Sequence, residues 1–221
     1  MEKAIVVSSY KNLLEEMDGY DIIYLGDEFC PNFITLDDLL KLKNIRKKKV
    51  FLTPMVTDRE IQKIISILDF NKKNILFDEI TINDIGLLKY IYDNKIDIKI
   101  NIGRILLLSL SSSITSNYFI NMFKKLNISS FEIDSADHLK YINNLKNKIS
   151  LHTPYRYITM TRFCPSAKNR WIKDCRNRCS KRYMLLQSKL FGNIFINGNA
   201  YFYRDEPLLT DTRITRIIES K

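Results

Sequence analysis

The chain has 221 residues, 45% of them hydrophobic, which is enough for a sizeable core and excludes a wholly disordered protein. Its net charge of +10 arises from 35 Lys and Arg against 25 Asp and Glu. No apolar run approaches the ~20 residues of a membrane-spanning helix. Residues 102–110 are interrupted by Arg104 and Ser109, and the apolar stretch after Met1-Glu2-Lys3 is too short for a secretion signal. The expectation is a cytoplasmic protein folded as a single domain over 1–221.

Strand-like and helix-like segments alternate along most of the chain. Short β-branched or aromatic runs at 4–8, 21–25, 50–52 and 75–77 are followed by others at 97–102, 131–133, 149–152 and 157–160. Apolar residues at helical spacing lie between several of them, such as Leu36, Leu39 and Leu40, or Ile61, Ile64, Ile65 and Leu68. Thr57-Asp58-Arg59-Glu60 has the form of a capping box, in which Thr and Glu side chains satisfy each other's free backbone N–H groups. Thr35 and Ser135 are weaker helix starts, and Asn83 is placed to cap a helix if the preceding strand reaches Ile82.

This order predicts an α/β fold with a parallel sheet and helices outside it. About eight strands in this length suit a compact TIM-barrel-like (β/α) domain, complete or short of closure. An open doubly wound sheet is the alternative, although no Gly-x-Gly-x-x-Gly turn or Walker loop is present to bind a nucleotide. After Arg182 the pattern predicts a C-terminal helix near 183–190. A β-hairpin follows, with strands at 193–196 and 200–203 around Asn197-Gly198-Asn199. The tail from Asp205 reads as polar and peripheral.

Cysteine placement carries the most chemistry. Cys164, Cys175 and Cys179 form a C-x10-C-x3-C segment, and Cys30 stands far upstream in Leu25-Gly26-Asp27-Glu28-Phe29-Cys30-Pro31. In an intracellular protein such thiols point to metal ligation or redox chemistry rather than disulfides. Thiolates suit zinc or an iron–sulfur cluster. Only the x3 pair is as tight as a zinc knuckle, which leans towards a cluster. Cys30 and Cys164 each follow a predicted strand, and strand-to-helix loops of a parallel barrel open on one face, so distant loops can bring their cysteines together. A lone cysteine such as Cys30 can equally be a small buried hydrophobe. The loop at 162–182 is also basic. Residues 156–182 hold nine Lys and Arg against one acid, Asp174, which suits an anionic partner such as RNA or simply offsets a cluster's charge.

The segments Arg162-Phe163-Cys164 and Asp174-Cys175-Arg176-Asn177-Arg178-Cys179 resemble the collagenase-like peptidase family, U thirty-two, and within it the iron–sulfur UbiV/UbiU-like branch. The upstream Cys30 and the helix entry Asn83-Asp84-Ile85-Gly86-Leu87-Leu88 add to the resemblance, with Gly103-Arg104 and Asn197-Gly198 as less specific matches. The resemblance implies a TIM-barrel-like domain with a [4Fe–4S] cluster on Cys30, Cys164, Cys175 and Cys179. It also implies a subunit or enzyme for oxygen-independent hydroxylation of a small aromatic molecule or RNA, in some members as a heterodimer with a related subunit. The ten-residue gap differs from that branch, and the Gly-rich surroundings of the peptidase subgroup's cysteines are missing. The alternatives are a non-enzymatic RNA-binding module fixed by zinc or a cluster, and a collagenase-like peptidase.

Other residues carry weaker signals. Asp78, Glu79, Asp84 and Asp134 lie near predicted strand ends, where paired carboxylates could exchange protons, although caps and loop solvation account for them more simply. His152 ends a strand and reads as a hydrogen-bonded core histidine, and His138 as a helix-surface residue. Ser111-Ser112-Ser113 has no nucleophile elbow around it. Tyr155, Tyr157, Phe163 and Trp171 interleave the basic run and suit either base stacking or core packing.

Overall fold

Each short Ile- and Val-rich run followed by a helix becomes one unit of a closed parallel barrel. The computed structural model describes residues 1–7, 17–30, 36–41, 43–161, 163–165, 170–171, 183–190, 192–205 and 211–220. The first seven barrel strands are β1 (Glu2–Val7), β2 (Ile22–Gly26), β3 (Lys48–Leu52), β4 (Glu79–Ile82), β5 (Lys99–Ile102), β6 (Ile128–Ile133) and β7 (Lys148–Thr153). Six further strands follow in an inserted segment: β8 (Tyr155–Met160), β9 (Phe163–Cys164), β10 (Arg170–Trp171), β11 (Met184–Ser188), β12 (Gly192–Asn197) and β13 (Ala200–Arg204). The eighth barrel strand is β14 (Ile214–Glu219), which pairs in parallel with both β7 and β1 and closes the ring.

Side-chain alternation splits the barrel into two environments. Outward residues such as Ile5, Ile23, Phe51, Ile80, Ile100, Phe131 and Leu151 join the main apolar core beneath the helices. Those helices are α1 (Leu36–Lys41), α2 (Asp58–Asn74), α3 (Ile85–Asp93), α4 (Arg104–Ser109), α5 (Asn117–Lys125), a 3-10 turn (Ala136–His138) and α6 (Leu139–Ile142). Each fully buried Ile, Leu or Phe contributes roughly 1.5–3 kcal/mol. Inside the ring, Ala4, Ile22, Tyr24, Val50, Leu52 and Ile218 form an apolar wall. The opposite wall is polar and hydrogen-bonded. Asn101 donates to Glu79 at 3.1 Å, Ser130 to Asn101 at 2.9 Å, and Ser150 to Ser130 at 3.1 Å. At its lower end Glu79 also accepts from Arg216 at 3.0 Å and pairs with Lys48 at 2.6 Å.

Several sequence expectations change at this level. Residues 75–77 are not a strand. Ile75 leaves α2 in the left-handed region at φ 48°, and the Asn71 side chain accepts the N–H groups of Leu76 and Phe77 at 2.6 and 3.0 Å. The strand begins at Glu79. The segment predicted as a C-terminal helix near 183–190 contains β11, drawn into pairing by β12, with Leu185 opposite Phe195. The tail is not peripheral, because it supplies β14. Run 157–160 lies in β8, which pairs antiparallel with β13 rather than joining the barrel. The expected capping box at Thr57 is present, its N–H donating to the Glu60 carboxylate at 2.8 Å. The hairpin forms as β12 and β13, with Gly198 at φ 62°. Asp84, not Asn83, caps α3. No helix among the described residues is long and apolar enough to cross a membrane.

Candidate functional site at the barrel mouth

The connection from β7 to β14 is expanded into a cap over the C-terminal end of the barrel. The sheet β11-β12-β13-β8 lays one face on the mouth. Phe202 and Ala200 from that face pack with Phe29 and Ile105, and Tyr155, Tyr157, Tyr183 and Phe195 surround them. Phe29 stacks on Tyr157 at 5.3 Å, and Tyr155 on Tyr183 at 3.6 Å. The aromatic residues beside the basic run therefore serve packing here, as far as Tyr155 and Tyr157 are concerned.

Local geometry sets the polar groups under this lid. At the end of β2, Gly26 adopts φ +132° against β3, where an added Cβ would lie 2.1 Å from the Leu52 carbonyl oxygen. The chain then turns over the mouth, with the Asp27 carboxylate accepting the N–H groups of Phe29 and Cys30 at 2.7 and 2.8 Å. This turn presents Glu28. After β5, Gly103 abuts the Asn83 side chain, where a Cβ would meet Oδ1 at 2.2 Å. Asn83 Oδ1 accepts the Ile105 N–H at 3.1 Å and its Nδ2 donates to Thr53 O at 2.9 Å, so the start of α4 is held fast. That start is Arg104.

Arg104 is the centre of a buried ion cluster. Its Nε lies 3.1 Å from both Glu28 oxygens and its Nη2 donates to Glu28 Oε2 at 2.6 Å. Its Nη1 donates to Asp134 Oδ2 at 3.1 Å and to the Tyr155 carbonyl at 2.9 Å. Burial alone would favour loss of the proton, but the charges of Glu28 and then Asp134 outweigh it and raise the guanidinium pKa above its ordinary value. Asp134 Oδ2 also accepts the Tyr157 N–H at 2.7 Å. Its Oδ1 faces His138 Nδ1 at 3.2 Å without hydrogen-bond geometry. Burial, opposed by Asp134, lowers the His138 pKa.

Below this cluster Glu132 and His152 project inward from β6 and β7. Glu132 Oε1 accepts the Thr81 hydroxyl at 2.7 Å, and Oε2 lies 2.9 Å from His152 Nε2. Arg104, Glu28, Glu132, Asp134 and His152 are each no more than 3% exposed. Ligand atoms of Glu28, Glu132 and His152 all lie within 4.8 Å of one another. The arrangement couples a carboxylate–imidazole pair, able to hold and pass a proton, to a fixed positive charge beneath an aromatic roof.

The sequence-derived candidates scatter across this frame. Cys30 is buried at the end of the β2 turn, and Cys164 is buried in β9, just beyond β8 in the cap. Phe29, next to Cys30, stacks on Tyr157 of β8, which puts Cys30 at the mouth end. Cys164 lies in the insertion rather than in a strand-to-helix loop. Cys175, Cys179 and most of the 162–182 loop lie outside the described residues. Among the acids, Asp134 joins the mouth, whereas Glu79 points inward near the opposite end. Hydrogen bonds to Arg216, with its charge, hold the Glu79 pKa at about 2 against burial. Asp84 caps α3 through Leu87 N–H at 2.9 Å, and Asp78 accepts Lys49 N–H at 2.8 Å. His152 is a buried hydrogen-bonded histidine as expected, but His138 is buried rather than on a helix surface. Ser113 bonds only locally, to Leu110 O at 3.3 Å. Sequence reasoning did not single out Glu28, Arg104 or Glu132 as site residues. Glu28 and Arg104 have one local signal, position, since each lies just beyond the end of a strand and shortly after a glycine, Gly26 or Gly103.

No protein-family model and no curated protein sequence matches this chain. Its fold is similar to that of a solved structure described as the U32 peptidase Mk0906, with a TM-score of 0.57 and 9% identity. The match covers 100% of this chain and 92% of that one. At this identity the likeness establishes the TIM-barrel-like fold.

Proposed function

We propose that this chain is an iron–sulfur protein of the U32-like group, closest to its UbiV/UbiU-like branch. In this reading Cys30, Cys164, Cys175 and Cys179 hold a [4Fe–4S] cluster beside the barrel mouth. The observation that carries it is the burial of both described cysteines, Cys30 in the turn that presents Glu28 to Arg104 and Cys164 in β9, shortly after the cap strand β8. Buried thiols beside an aromatic cap fit a soft-ligand site screened from water. The basic residues of 162–182 would lower the thiol pKa values and balance the charge of a four-thiolate centre.

Such a cluster supplies one-electron chemistry or an open iron to a bound substrate. This chain's own residues would do the rest. The aromatic cap would exclude water and pack against a flat ring or base, and the Glu132–His152 pair would hold or release a proton beneath it. The function that fits is a subunit or enzyme of oxygen-independent hydroxylation, acting on a small aromatic molecule or RNA, alone or with a related subunit. Peptidase action, which the name of the structural neighbour raises, has less support. His152 uses Nε2 on Glu132 and its Nδ1 meets no partner, so no nucleophile–histidine pair forms there among the described residues.

The test is anaerobic purification followed by iron, sulfide and zinc analysis and a visible spectrum. The expected result is brown protein with iron and sulfide at about four each per chain. Stoichiometric zinc, with no broad visible absorbance after anaerobic reconstitution, would overturn the reading in favour of a zinc-stabilised binding module.

A further inference from the structure

We propose that Glu28, Glu132 and His152 form a binding site for one divalent transition-metal ion under the cap, built without any of the four cysteines. Three elements of the mouth supply it: the turn after β2, strand β6 and strand β7. Their ligand atoms already lie within 4.8 Å of one another, with all three residues buried. The 2.9 Å between Glu132 Oε2 and His152 Nε2 is close to the separation of about 3.0 Å expected for neighbouring ligands of an octahedral ion on bonds of about 2.1 Å.

The imidazole geometry fixes which nitrogen faces the ion. Glu132 Oε2 meets His152 Nε2, so both residues become ligands only when the ion sits between them and exchanges that hydrogen bond for two metal bonds. His152 Nδ1 is buried and has no hydrogen-bond partner among the described residues, so no competing bond holds the ring in another orientation.

Charge argues for a cation as well. Glu28, Glu132 and Asp134 place three carboxylates in the buried mouth against one guanidinium, Arg104. Glu28 keeps lone pairs for an ion, since Arg104 engages only part of its capacity. One imidazole with two carboxylates is a donor set for Mn²⁺, Fe²⁺ or Zn²⁺, whereas Mg²⁺ and Ca²⁺ favour oxygen alone and thiolates select softer centres.

Mn²⁺ is the probe, because carboxylates and imidazole suit it and thiolates do not. Full-length protein is titrated with Mn²⁺ and the free-ion magnetic resonance signal followed, in wild type, His152→Gln, Glu132→Gln and the distant surface variant Asp93→Asn. One saturable ion per chain is expected in wild type and Asp93→Asn, with binding weakened at least about tenfold in the two site variants. Should those variants fail to fold, pulsed resonance on wild type alone decides, since an imidazole ligand gives nitrogen coupling to the bound ion. Absent saturable binding, no nitrogen coupling, or unchanged binding in the two site variants would overturn the proposal. None of those results bears on iron and sulfide content, so the cluster reading stands or falls separately.

Discussion

Asp134 and Tyr157 are joined by a short buried bond, the Tyr157 N–H donating to Asp134 Oδ2 at 2.7 Å. The same carboxylate accepts from Arg104, whose other nitrogens hold Glu28 and the Tyr155 carbonyl. A residue at the end of β6 thus fastens the first strand of the cap, and one guanidinium ties the β2 turn, the start of α4, β6 and β8 together. Phe29 and Phe202 cover this guanidinium, with its carbon 5.6 and 5.8 Å from their ring centres. The cap is therefore held down by polar bonds inside an apolar shell, where each bond is hard to replace by water.

Arg104→Met should destabilise the protein by about 3–5 kcal/mol, because it leaves Glu28 and Asp134 as buried charges without their counter-ion. Urea unfolding measures this. Glu28→Gln should cost less, because an amide oxygen can still accept from the guanidinium. A loss below about 1 kcal/mol for Arg104→Met would mean that the mouth is more hydrated than its burial indicates.

Gly103→Ala should destabilise by about 1–3 kcal/mol, the usual penalty of forcing atoms into a packed site, since the new Cβ would meet Asn83 Oδ1 at 2.2 Å. Asn83→Ala removes that obstacle but leaves the Ile105 N–H without its acceptor. The double variant should therefore be less destabilised than the sum of the two singles, with a coupling of about 0.5–3 kcal/mol. Additive losses would show that the clash relaxes by backbone movement instead.

Glu79 gives the fold a pH dependence whose sign is fixed. Its folded pKa, about 2, lies below the ordinary 4.5 because Arg216, Lys48 and Asn101 favour the carboxylate against burial. The unfolded chain therefore binds the proton more readily as pH falls. The stabilisation is complete above about 4.5 and is lost as pH falls towards 2. Unfolding free energies of wild type and Glu79→Gln, measured from pH 7 to pH 3, should converge as the pH drops. A constant difference across that range would rule out this linkage.

The barrel is legible in the sequence where local chemistry and packing agree. The β-branched runs at β1, β2, β3, β6 and β7 and the Thr57 start of α2 follow from composition and capping alone. Legibility fails where long-range pairing decides. The tail from Asp205 reads as polar and peripheral, yet it contains β14, whose Arg216 points into the barrel to meet Glu79 and Tyr24. Met184–Ser188 has residues that suit a helix, and becomes a strand because β12 lies alongside it. The site is hidden for the same reason. Arg104 and Glu28 are 76 residues apart, and Thr81 and Glu132 are 51 apart, so no local spacing reveals either pair. Cysteines stood out because their chemistry is conspicuous at any spacing.

The final prediction separates a ligand at Cys30 from a merely buried thiol. Its backbone N–H is already held by the Asp27 carboxylate at 2.8 Å, so the turn does not depend on what the side chain does. Cys30→Ser should therefore keep the turn, with the hydroxyl filling nearly the same space. If the thiol only packs, the variant should lose about 1 kcal/mol of stability and retain its iron. If it ligates the proposed cluster, iron, sulfide and visible absorbance should fall together, because a hydroxyl is a harder and poorer ligand for iron in a thiolate-bound cluster. Cys164→Ser, changed in the cap rather than the β2 turn, should behave in the same way. Both variants are to be measured beside wild type after anaerobic reconstitution, with circular dichroism to show that the barrel is intact. Full cluster content in Cys30→Ser alone would leave Cys164, Cys175 and Cys179 as the ligands, with an open iron that a substrate or another ligand could fill.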